Sequence, residues 1–77
     1  MSSVVSDVAV HVDEALSERE LFNLEQTIRS EYGVISVGHS AADRHMMFVL
    51  YDPEAISGKD VLSRVTDQGF HGELIGF

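Results

Sequence analysis

Seventy-seven residues, 44% of them hydrophobic and only one a proline, suit one small domain and are too apolar for a disordered chain, and no apolar run approaches the ~18 residues of a membrane span. Thirteen acidic against five basic residues give a formal charge of -8, which repels phosphate backbones and anionic lipid, so neither nucleic acid nor membrane is an expected partner. The absence of cysteine excludes disulfides, thiolate metal sites and thiol nucleophiles together, and the start of the chain, lacking the basic and apolar stretches of a secretory leader, makes the cytoplasm the expected location.

The first predicted element is a strand, in which Val8, Val10 and Val12 alternate with Ala9, His11 and Asp13 at the period of a half-buried sheet. A helix follows from the run Leu16-Ser17-Glu18-Arg19-Glu20-Leu21. Ser17 and Glu20 have the spacing of a capping box, and Leu16 against Leu21 makes the hydrophobic staple. Leu21, Leu24, Ile28 and Tyr32 recur at helical spacing, and Gly33 supplies a left-handed stop. Val34 to Ala41 predicts a second strand, Ala42-Asp43-Arg44 a hairpin turn, and His45 to Tyr51 a third strand that Asp52-Pro53 breaks. A second helix repeats the grammar of the first: Ser57 and Asp60 cap it, Ile56 and Val61 staple it, Val61, Leu62 and Val65 form its stripe, and Gly69 closes it. Phe70 to Phe77 completes the chain as a strand. The order strand, helix, hairpin, helix, strand predicts a single α+β domain over residues 1–77. Its ferredoxin-like βαββαβ fold has four antiparallel strands in the order 4-1-3-2, with both helices on one face.

Gly33-Val34, Val37, the Val49-Leu50-Tyr51-Asp52-Pro53 stretch and Gln68-Gly69-Phe70 together have a spacing that resembles the heavy-metal-associated domain family from about Val8 to Leu74. The resemblance implies a loop between the first strand and first helix that holds Cu(I) or another soft ion between two thiolates. Those two positions fall here on Ser17 and Glu20, the halves of the capping box. Their oxygens are hard donors that cannot replace a dithiolate, so the chain resembles a degenerate member without the metal loop.

All four histidines fall at one end of the predicted sheet, the end that carries this loop: His11 and His39 finish their strands, His45 and His71 begin theirs. Side-chain parity sends His11, Met46 and His71 to the face without helices, and gives His39 and His45 the parity of core-facing Val37 and Val49. His11, His71 and Met46, with Asp13 or Glu14 adding oxygen, form a candidate site for a divalent Cu, Zn, Ni or Co ion, with the thioether favouring copper. Uptake is expected to weaken in acid, because a ligating imidazole must be neutral.

The third strand is apolar on both parities. Met47, Val49 and Tyr51 face the helices, whereas Met46, Phe48 and Leu50 face outward, joined on the last strand by Ile75 and Phe77. A second copy of the chain or another protein is expected to cover that face. The stretch from Arg44 to Tyr51 also resembles the third strand of RNA-recognition motifs. The stacking aromatic expected on the first strand is missing, however, and the charge opposes RNA. No phosphate-binding glycine loop and no nucleophile beside a base is present, so an enzyme is not expected. The leading expectation is a non-enzymatic binding module in metal homeostasis, acting through histidine ligands or by docking to metal-handling proteins. The alternative is a structural or regulatory interaction domain, homo-oligomeric through the open sheet face, that binds no metal.

Overall fold

A computed structural model describes residues 4–75. Six elements follow in chain order: β1 (Ser6–Val12), α1 (Glu18–Arg29), β2 (Val34–His39), β3 (Met46–Tyr51), α2 (Gly58–Asp67) and β4 (Gly72–Ile75). All strand pairings are antiparallel, in the spatial order β2-β3-β1-β4, which is the predicted ferredoxin-like arrangement.

Strand alternation and helical periodicity meet in one core. From the sheet come Val8, Val10, Val12, Val37, Met47 and Val49, and from the helices Leu21, Leu24, Ile28, Val61 and Val65. Each helix starts where its capping box fixes it. Ser17 Oγ accepts from the Glu20 N–H at 3.1 Å while Glu20 Oε1 accepts from the Ser17 N–H at 2.9 Å; Ser57 and Asp60 repeat the exchange at 3.3 and 2.8 Å. Both boxes satisfy backbone donors that the first helical turn leaves without partners.

Several boundaries differ from expectation. Tyr32 is exposed and lies beyond α1, because Ser30 already caps the helix and Gly33, at φ +92°, then turns the chain into β2. The hairpin is wider than three residues. Ser40 Oγ accepts from the N–H groups of Ala42 and Asp43, and Asp43 Oδ1 accepts from the His45 N–H, so residues 40–45 form a hydrogen-bonded turn and β3 begins at Met46. β4 begins at Gly72 rather than Phe70, and Phe77 lies outside the described residues.

Candidate metal centre

β1 is a central strand, paired with β3 on one side and with β4 on the other. His11 pairs with Met46 on β3 and with Glu73 on β4, and the three share the face without helices. Asp13 follows two residues later, just past the end of β1. The end of β1 is held from both flanks, since the Val12 N–H donates to the His45 carbonyl and the Asp13 N–H to the His71 carbonyl, each at 2.8 Å.

This backbone places one donor atom each of His11, Asp13 and Glu73 within 4.8 Å of one another. His11 Nδ1 lies 3.3 Å from Asp13 Oδ1, but without the alignment of a hydrogen bond. It is shielded from solvent and has no hydrogen-bond partner among the described residues, a costly state for a polar atom that the nearby Asp13 carboxylate offsets only in part. The ring of His45 stacks on that of His11 with centroids 5.6 Å apart and planes at 16°. His45 Nδ1 lies 2.7 Å from the Val12 carbonyl oxygen, and only a protonated nitrogen can bond to a carbonyl, so the proton sits there. The expected core-facing parity of His45 fails because the residue belongs to the turn, where strand alternation does not apply.

His71 departs from the expected ligand set in another way. Its side chain is 81% exposed and turned to Glu14, with Nδ1 2.7 Å from Oε2, while its backbone N–H donates to Oε1 of the same carboxylate at 2.8 Å. These bonds hold the Glu14 carboxyl below its usual range, and the same carboxylate raises His71 above the usual histidine value. Register explains the exchange: β4 aligns Glu73, not His71, with His11, and parity alone cannot tell two residues of one strand face apart. Sequence reasoning missed Glu73 for that reason.

His39 sits on the helix side, as its parity predicts, with Nδ1 2.9 Å from Oε2 of Glu25. Glu25, 9% exposed, is the buried carboxylate of the described residues and stands beside a cavity of about 340 Å³ between α1 and the hairpin. It follows Leu24 directly, at the margin of the apolar stripe, where a glutamate reads as surface. The β1–α1 loop does not fit a soft metal. Ser17 and Glu20 are committed to each other and to the helix start, and the outward apolar residues Phe48, Leu50 and Ile75 stand elsewhere on the sheet.

No family model matches the chain, and no curated protein matches it. Solved structures do. A copper-binding domain of the P-type ATPase HMA7 matches with a TM-score of 0.82 at 18% identity, over 91% of this chain and 93% of that one. Oxidised MerP from Ralstonia metallidurans matches with a TM-score of 0.84 at 15% identity, over 95% of this chain and all of the other. The yeast copper transporter domain CCC2A, solved in apo and Cu(I)-loaded states, matches with a TM-score of 0.77 at 21% identity, over 91% and 94%. No helix among the described residues is long and apolar enough to cross a membrane. This chain, which has no cysteine, carries the ferredoxin-like fold of the heavy-metal-associated domains.

Proposed function

We propose that the chain is a non-enzymatic metal-handling module that takes one divalent ion, Zn(II), Cu(II), Ni(II) or Co(II), at the open-face end of its sheet. His11, Asp13 and Glu73 are the ligands, and Met46, across the strand from His11, is the soft donor that would favour copper. The observation that carries this reading is the convergence of one donor atom each from His11, Asp13 and Glu73 within 4.8 Å of one another, with His11 Nδ1 shielded from solvent and without a hydrogen-bond partner among the described residues. Imidazole and carboxylates suit ions of borderline hardness, and three protein donors leave coordination positions for water or for a ligand offered by another molecule. Solved relatives in fold that are titled copper-binding domain and copper transporter domain support a role in metal handling.

Calorimetric titration of Zn(II) and Cu(II) into the wild type, His11→Ala, Glu73→Gln and His71→Ala tests the assignment. One equivalent is expected, lost in His11→Ala, weakened in Glu73→Gln and retained in His71→Ala. A wild type that takes up no metal at micromolar concentration refutes the function. Loss in His71→Ala alone moves the site to His71 and Glu14.

A further inference from the structure

The outward face of the sheet is apolar in the middle and acidic at both ends. In the central row Phe48 is flanked by Gly38 on β2 and Ala9 on β1, and Ile75 stands on the far side of Ala9. Ala9 is only 1% exposed although it faces away from the helices, so its larger neighbours close over it into one apolar surface; Phe48 itself is 47% exposed. Leu50 extends that surface by one row and pairs with Asp7, and the row at the opposite end carries Glu73, with Asp13 just beyond.

Among the described residues no Lys or Arg side chain stands on that face to balance these carboxylates; the basic group beside them is the His11 imidazole, 3.3 Å from Asp13. Of the five basic residues, Arg19 and Arg29 belong to α1, Lys59 and Arg64 to α2, and Arg44 lines the cavity against α1. Two copies docked sheet to sheet would bring Asp7, Asp13 and Glu73 of each into one interface with no Lys or Arg to meet them, on chains of formal charge -8. That selects a different occupant. From Asp7 to the row of His11 is four residues, about 13 Å along a strand, a length that a helix covers in about nine residues.

We infer that the open face docks an amphipathic helix of another protein, with an apolar stripe of about two turns laid over Phe48, Leu50 and Ile75 and with Lys or Arg at both ends to meet Asp7 and the Asp13–Glu73 pair. The Phe48 ring, between two residues with little or no side chain, is the central contact, in the position where an aromatic anchor contributes most. Docking needs no metal.

The probe is a synthetic 18-residue helix whose central leucine stripe of about two turns is bounded by lysines about nine residues apart, compared with a counterpart carrying glutamate at those positions, titrated into ¹⁵N-labelled protein in EDTA. The lysine peptide is expected to shift the amide signals of Ala9, Phe48, Leu50 and Ile75, and to bind more weakly as salt rises. Phe48→Ser should lower its affinity about tenfold, the effect of losing one central aromatic contact. Asp7→Asn should weaken binding and flatten its salt dependence. Asp7 is exposed and Phe48 half-exposed, and a urea unfolding curve of each variant, showing a folded baseline under the titration conditions, separates lost docking from lost fold. Equal binding of the glutamate peptide, no binding of either, shifts confined to α1 and α2, or a Phe48-dependent dimer in sedimentation without peptide would each overturn the inference. The last would name a second copy as the occupant. Work in EDTA keeps the outcome separate from the metal reading, which stands or falls on the titrations above.

Discussion

Replacing Ser17 by alanine separates the two roles that its position can have, helix cap or metal ligand. The side chain makes one hydrogen bond, 3.1 Å from the Glu20 N–H, and the reciprocal bond from the Ser17 N–H to Glu20 Oε1 at 2.9 Å survives the substitution. Both bonds are exposed, so water takes over part of what is lost. The expected cost is therefore about 1 kcal/mol, in the middle of the range for N-cap truncations. For a domain of this size that corresponds to a fall of about 4–8 °C in Tm, and in urea to a lower midpoint at unchanged slope. Ser17→Gly should cost only a few tenths of a kcal/mol, because glycine is itself tolerated as an N-cap. Thermal and urea unfolding of the three proteins, with Zn(II) and Cu(II) titrations of each, reads stability and metal uptake together. Metal binding that disappears in Ser17→Ala while the unfolding midpoint stays put would refute the capping role and return the loop to ligand duty.

Two glycines at positive φ should respond differently to alanine: at Gly33 an added Cβ would lie 2.9 Å from the Ala55 Cβ, whereas at Gly69 it meets open space, so Gly33→Ala should unfold at clearly lower urea than Gly69→Ala. Met47→Ala, in the core, should cost about 2–5 kcal/mol, while Leu50→Ala on the same strand, facing outward, should change stability by about 0.5 kcal/mol or less. The His71–Glu14 pair gives stability a pH signature. A raised His71 contributes fully below its ordinary value of 6.5 and loses its contribution as pH rises through the folded value, and a lowered Glu14 contributes above 4.5 and loses its contribution as pH falls through the folded value. The stability gap between wild type and His71→Ala in urea should thus be widest between those two values and narrow on either side; a gap independent of pH would show that the pair is not formed in solution.

The fold was legible because each local signal agreed with the others. Two capping boxes, two stapled helices and a valine alternation on β1 point to one topology, and none depends on contacts distant in sequence. The site was legible only as far as parity reaches. Parity put His11, Met46 and His71 on the open face and brought Asp13 or Glu14 near, but the choice between His71 and Glu73 is a matter of register, which is set by pairing between His11 and Glu73, 62 positions apart in the chain. His45 and Tyr32 strayed for a related reason: both lie just outside an element, where the period that places a side chain has ended. Glu25 falls four residues after Leu21 on the buried face of α1, and it was passed over because a carboxylate there reads as surface unless its partner, His39 on β2, is known.

The proposed metal site and the proposed docking face share residues, so the two readings together predict coupling. Glu73 and Asp13 are at once the proposed ligands grouped with His11 and the acidic border at one end of the sheet face. A divalent ion bound there adds two positive charges where a docked helix would place its own lysine or arginine, and it occupies the carboxylate oxygens those cations would meet. Metal and a basic-ended helix should therefore compete, even though the apolar contacts over Phe48 are untouched. Thermodynamic reciprocity requires the two effects to be equal: the factor by which Zn(II) weakens the peptide is the factor by which the peptide weakens Zn(II). Asp7, at the far end and outside the ligand group, should not contribute to the coupling, so Asp7→Asn lowers peptide affinity with and without metal by the same ratio. Peptide titrations at zero and saturating Zn(II), matched by Zn(II) titrations at zero and saturating peptide, measure both sides of the cycle. Peptide affinity unaltered by a metal that demonstrably binds would mean that the ion and the helix use different carboxylates, and would move the acidic border of the docking face away from Glu73.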